Sequence, residues 1–175
     1  PPRDMQWLCG ARWIRNHHML ASISAIVSEG GRIFYILDEG PSANLDVPGK
    51  WTVAARDAFS GVPLWKRPIE SWAHWKHGFR AGPVQLARLL VAGPGCVYVP
   101  LGVNAPVTAL DAASGQVIRA YDQTQGAEEV LLDGVSEVVQ SNKPAGTQNL
   151  AIGRCILPSS RVSGDSVSAL HDRVF

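Results

Sequence analysis

Charge is scarce in this sequence, and what there is nearly cancels. Asp, Glu, Lys and Arg together make up 18% of the chain, and the net charge is +1. A balance so near neutral lacks the basic surface that phosphate backbones or anionic lipids attract, so nucleic acid is not expected as a partner. Cysteine is scarce too: Cys9, Cys96 and Cys155 are widely spaced and odd in number. They suit neither a disulfide framework nor a metal cluster, and they read as small buried hydrophobes or free thiols. Long apolar runs are missing. None approaches the roughly 18 residues of a spanning helix, so no membrane insertion is expected from this segment. A basic-then-apolar leader is also missing. The chain opens on Pro1 rather than Met. That leads us to expect an internal stretch of a longer protein, for which a missing leader says nothing about export.

What is present points to an all-β globular chain. Apolar residues make up 46% of the 175 positions, enough for one domain with a sizeable core. Glycine (17), proline (12) and tryptophan (6) are high together. Gly and Pro punctuate turns, and Trp fills the space between packed sheets.

One phrase occurs twice. Trp51-Thr-Val-Ala-Ala-Arg-Asp57-Ala-Phe-Ser-Gly61-Val-Pro-Leu-Trp65 returns as Val107-Thr-Ala-Leu-Asp111-Ala-Ala-Ser-Gly115-Gln-Val-Ile. Asp57 and Asp111 lie 54 residues apart, as do Gly61 and Gly115. Each copy follows a Gly-rich turn and a short apolar run, Gly30-Gly31-Arg-Ile-Phe-Tyr and Gly93-Pro-Gly95-Cys-Val-Tyr. A period of this size signals stacked supersecondary units, and a four-stranded propeller blade fits it best. Strands are expected at 22–28, 32–38, 51–57 and 62–69, then at 84–92, 96–101, 107–111 and 116–121. Tyr35 to Asp57 spans 22 residues and Tyr98 to Asp111 spans 13, so the first copy carries about nine extra residues, within 39–50. An insertion at one loop of a repeat decorates one face. Residues 128–133 and 135–139 open a third copy that does not continue.

The organisation expected is therefore an N-terminal segment from a preceding unit (1–21), two blades (22–79 and 80–127), the start of a third (128–140) and an irregular tail (141–175). Asp57 and Asp111 are expected to cap their turns by accepting backbone N–H bonds, with Gly61 and Gly115 in left-handed geometry. Trp65 is expected between neighbouring sheets, with Trp72 the other candidate for that place.

On these residues the chain resembles PQQ-like β-propeller repeats, the blade of quinoprotein dehydrogenases. The blade pattern runs Gly-x-Val-Tyr-Val, a variable loop, then Leu-x-Ala-Leu-Asp-Ala-x-Thr-Gly-x-x-Leu-Trp. Gly31 to Tyr35 with Ala55 to Trp65 matches it, and so does Gly95 to Val99 with Thr108 to Ile118. Ser60 and Ser114 replace the pattern's Thr, and Arg119 stands where the first copy has Trp65. The resemblance covers about residues 22–140. It implies a partial propeller whose partners are the remaining blades, with a protein or small molecule as a further ligand. It also suggests a bacterial protein in the periplasm or otherwise exported. Cofactor-binding members carry a vicinal Cys-Cys pair and a Glu/Asn/Asp calcium set. Both are missing from this sequence, so neither a cofactor nor a metal is expected. The implied role is a binding or scaffold module. The alternatives are a segment of a quinoprotein dehydrogenase-type oxidoreductase, or of an extracytoplasmic outer-membrane assembly factor.

Candidate chemistry is thin, and each candidate has a structural reading beside it. His17 and His18 are adjacent, so on a strand they face opposite ways. Either one joins a site with Asp38 or Glu39, or both are solvated or packing side chains. In Trp72-Ala-His74-Trp75-Lys-His77 the His-x-x-His spacing ligates a metal if helical, and the tryptophans offer a stacking platform. The same aromatics suit the space between blades. Asp38-Glu39 is a carboxylate pair able to serve acid–base or calcium chemistry, or a solvated turn. Gly30-Gly31 and Gly93-Pro-Gly95 lack the Lys-Ser/Thr of a phosphate loop. No catalytic residue is assigned.

Overall fold

A computed structural model describes residues 4–9, 23–40, 50–70, 86–133, 136–141 and 149–152. They build three antiparallel sheets, with no α-helix among the described residues. In the first sheet β1 (Ile23–Glu29), β2 (Arg32–Asp38), β3 (Trp51–Asp57) and β4 (Pro63–Pro68) pair in sequence order. The second repeats this with β5 (Val91–Gly93), β6 (Cys96–Pro100), β7 (Val107–Asp111) and β8 (Val117–Ala120). The third has three strands, β9 (Ala127–Asp133), β10 (Ser136–Ser141) and β11 (Asn149–Ile152), in the order β11-β10-β9.

The turns explain the meander. Gly30 and Gly31 both take positive φ (56° and 73°), which only glycine adopts freely, and they close a two-residue hairpin between Glu29 and Arg32. Gly95, at φ 77°, turns β5 into β6.

The period of two in each central strand sorts the core into layers. Phe34, Ile36, Val53 and Ala55 of the first sheet meet Val97, Val99, Leu110 and Ala112 of the second in one cluster, with Leu90 and Ile69 at its margins. The alternate residues of the second sheet, Cys96, Tyr98, Val107 and Ala109, pack with Val130 and Leu132 of β9. Leu132 leans on Gly93, where an added Cβ would approach it to 2.9 Å. The other face of the first sheet carries Tyr35, Leu37 and Ala54. So β6 is buried on both faces, between the first sheet and β9, and most of β2 is buried as well. Each of the larger buried side chains contributes roughly 1.5–3 kcal/mol.

Three expectations need correction. The strand expected over 84–92 is mostly a 3₁₀ turn, Leu86–Leu89, and only Val91–Gly93 pairs. Leu90 is 1% exposed, and seating it in the inter-sheet core takes the chain out of extended geometry just before β5. The third unit does not stop at 140: β11, at Asn149–Ile152, pairs with β10 inside the stretch read as irregular tail. Its four residues are too few to show periodicity in the sequence. Third, Cys96 is buried in the core, as one of the two readings has it, but is disulfide-bonded, while Cys9 is free and exposed.

Candidate functional site at the junction between sheets

The two Asp-x-x-Ser-Gly turns have the same construction. Asp57 Oδ1 accepts hydrogen bonds from Phe59 N (3.0 Å), Ser60 N (2.7 Å) and Ser60 Oγ (2.8 Å). Asp111 Oδ1 accepts from Ala113 N (3.1 Å), Ser114 N (2.7 Å) and Ser114 Oγ (2.7 Å). Gly61 and Gly115 both stand at φ 71° and donate back to the Asp57 and Asp111 carbonyls. The residue after each Asp then ties the turn to the preceding hairpin: Ala58 N donates to Gly31 O, and Ala112 N to Gly95 O, each at 2.9 Å. Donors aimed at a carboxylate favour its ionised form. The Asp57 carboxyl is accordingly held below its usual range by the Ser60 backbone and hydroxyl, and Asp111 by the Ser114 hydroxyl and backbone. The carboxylates are therefore committed to structure, as the sequence leads one to expect.

A tryptophan from the neighbouring segment lies on each turn. Trp65, on β4, covers Gly115: a Cβ there would stand 2.6 Å from the ring. Its indole Nε1 donates to Ala112 O at 3.0 Å. Trp7 treats the first sheet the same way, with 2.5 Å to a Cβ on Gly61 and an Nε1 bond of 3.1 Å to Ala58 O. Trp65 also tilts against Phe34, with ring centroids 6.0 Å apart, so the latch is continuous with the core. Trp7 escapes a reading of the sequence because its surroundings lack the repeated phrase. The available signal was its distance of 58 residues from Trp65, close to the 54-residue period.

Arginines reinforce these turns. Arg67, two residues after Trp65 and on the same side of β4, donates from Nη1 to Gly115 O at 3.1 Å. Arg56 donates to Gly61 O at 2.6 Å and from Nε to Tyr35 Oη at 2.8 Å. At the position of Trp65, Arg119 instead lies 5.2 Å from the centre of the Tyr121 ring. The third unit has no Asp-x-x-Ser-Gly turn after β11 for a tryptophan to cover.

Among the expected ligand contacts, Asp38 and Glu39 are described, and both are engaged in structural contacts. Asp38 is buried, and its Oδ1 accepts from Gly40 N and Lys50 N, both at 2.8 Å. Glu39 N donates to Lys50 O at 2.8 Å. These bonds close the base of the inserted loop. The Glu39 carboxylate pairs with Lys66 on β4. His17, His18, Trp72, His74, Trp75 and His77 lie outside the described residues. Among the described residues no three His, Cys, Asp or Glu side chains gather where a metal ion would bind. No described helix is long and apolar enough to cross a membrane.

Comparison with protein-family models and with curated proteins finds no match.

Proposed function

We propose that the chain is a section of a PQQ-like β-propeller and works as a binding or scaffold module. The observation that carries this reading is the latch used twice, Trp7 on Gly61 and Trp65 on Gly115. The same contact, made on the second sheet by β4 of the first and on the first sheet by the segment 4–9, is what radial repetition of a blade leads one to expect. The inserted loop supports a binding role. It leaves the first sheet between β2 and β3, at the end opposite the Asp57 turn, and Asp38 pins its base. A fixed base lowers the ordering cost of a loop that recognises a partner. Burial of disulfide-bonded Cys96 in the core supports an exported location, because such bonds persist in oxidising compartments.

Photo-crosslinking in the source cell tests the proposal. A photoreactive residue at Ser42 or Asn44 of the loop is expected to capture a partner, while one at exposed Val117 on β8 captures none. Equal capture from both positions, or dye-linked alcohol oxidation by the chain when supplied with pyrroloquinoline quinone and calcium, would overturn it.

A further inference from the structure

The latch leaves a cleft beside it. Between β4 and the turn from β7 to β8 lies an open space of about 550 Å³. That volume lies in the range of small-molecule sites, roughly 300–1,000 Å³. Its lining is mixed: Trp65, Pro68 and Leu101 are apolar, while Lys66, Arg67, Glu70 and Gln116 are charged or polar. Glu70 N–H donates to Leu101 O at 3.1 Å.

Arg67 decides the chemistry. A guanidinium offers five N–H donors in a planar fork. The contact to Gly115 O takes one of them and fixes the direction of the group. The rest of the fork is left beside a half-buried indole. A planar fork held in place, next to an apolar wall, recognises a carboxylate on a flat apolar body. Lys66 adds little here, because its ammonium is paired with Glu39. The second sheet supplies an internal control. Counting 54 residues on from Arg67 and Pro68 gives Tyr121 and Asp122, so the repeat does not require this set.

We propose that this cleft binds small carboxylates with a flat apolar portion, held by Arg67 against Trp65, Pro68 and Leu101. Free organic acids and the C-terminal carboxylate of a peptide share that chemistry. The inference rests on the two stacked sheets and not on the propeller reading, so either can fail alone.

Amide and arginine Nε resonances of the ¹⁵N-labelled chain report on the cleft directly. Three probes are titrated: benzoate, its neutral isostere benzamide, and acetyl-glycyl-phenylalanine with a free carboxylate. Saturable shifts at Gly115, Gln116 and Arg67 Nε are expected with benzoate or the peptide, and none with benzamide. The tighter of the two acids identifies the source. Arg67→Gln is expected to weaken binding by about tenfold, the effect of losing one charge-assisted pair. Should that variant lose its dispersed spectrum, Gln116→Glu serves instead. It changes an exposed side chain and sets a like charge beside the ligand, so binding weakens with the fold intact. Absence of saturable shifts with both acids, equal response to benzamide, or undiminished affinity in a folded Arg67→Gln or Gln116→Glu variant would overturn the proposal.

Discussion

The ring of Trp65 lies so close over Gly115 that a Cβ there would stand 2.6 Å from it. No real Cβ sits that near, so Gly115 is required twice, once for its φ of 71° and once for the approach of the indole. Gly126 separates the two demands. It has φ 72°, but an added Cβ would make only an ordinary contact, with Asn104 Oδ1 at 3.9 Å. Gly126→Ala is expected to lose about 1 kcal/mol from the backbone alone. Gly115→Ala is expected to lose about 3 kcal/mol, since the ring must also leave its seat. Trp65 is half-buried, so Trp65→Ala falls below the usual 3–5 kcal/mol of a core Trp, at about 2–3. With the ring gone, Gly115→Ala retains only its backbone penalty. Denaturant melts of the double-mutant cycle should show that non-additivity; additive losses would mean the ring and the turn are uncoupled.

The Asp111 turn gives stability a dependence on pH whose sign follows from its cause. The folded state depresses the Asp111 carboxyl, first through the Ser114 hydroxyl. A depressed carboxyl stabilises above its unfolded value of about 3.9, and that contribution fades as pH falls through the lower folded value. Asp111→Ala should therefore cost about 1 kcal/mol at neutral pH, a modest figure because the side chain is only partly buried. The deficit should begin to shrink below about pH 4, where the unfolded carboxyl takes up its proton, and go on shrinking as pH falls toward the lower folded value. Melts at pH 7 and pH 3 test this. A deficit equal at both would assign the loss to something other than the ionised turn.

The second sheet lies nearer the sequence expectation at its Gly- and Asp-marked turns than at its first strand. Wherever a Gly or an Asp-x-x-Ser-Gly turn stood, the strand boundaries of β2, β3, β6 and β7 were legible, because the backbone requirement falls on particular residues. Leu86 to Leu90 was misread as strand, since apolar residues in a short run suit both extended and 3₁₀ geometry. Asp57 and Asp111 showed their roles in sequence because each bond they make is local. Trp7, Arg67 and Asp38 did not, because their partners Gly61, Gly115 and Lys50 are distant or are backbone groups with no side-chain signature. The Cys96 disulfide was invisible for a related reason: connectivity depends on approach in space, and three unpatterned cysteines do not specify it.

Thiol labelling tests that correction. With Cys96 disulfide-bonded and Cys9 free and exposed, a thiol reagent should label Cys9 but not Cys96 in the unfolded, unreduced chain, and label Cys96 once reductant is added. Reduction should lower stability by about 2–4 kcal/mol, the usual range for one cross-link. Labelling of Cys96 in the unfolded chain before any reduction would restore the reading from sequence.

Asp38 distinguishes a structural carboxylate from a ligand. It is buried at 4% exposure, and one oxygen takes the N–H groups of Gly40 and Lys50 at 2.8 Å each. Removing the side chain leaves those donors without this acceptor, one of them buried. Asp38→Ala should thus cost about 2–3 kcal/mol. The Gly40 and Lys50 amides should then exchange with solvent faster, while the amides of β6 and β7 keep their ranking, because the damage stays at the base of one loop. Asp38→Asn retains a carbonyl oxygen that can accept both bonds, and should lose about half as much, since its acceptor carries no charge. A calcium or zinc ligand would behave otherwise: metal would raise the melting temperature of the native chain, and Asn and Ala would abolish that rise alike. Hydrogen exchange on the two variants, with melts taken with and without added metal, decides between them, and a metal-dependent rise lost in both would move Asp38 from the loop base to a binding site.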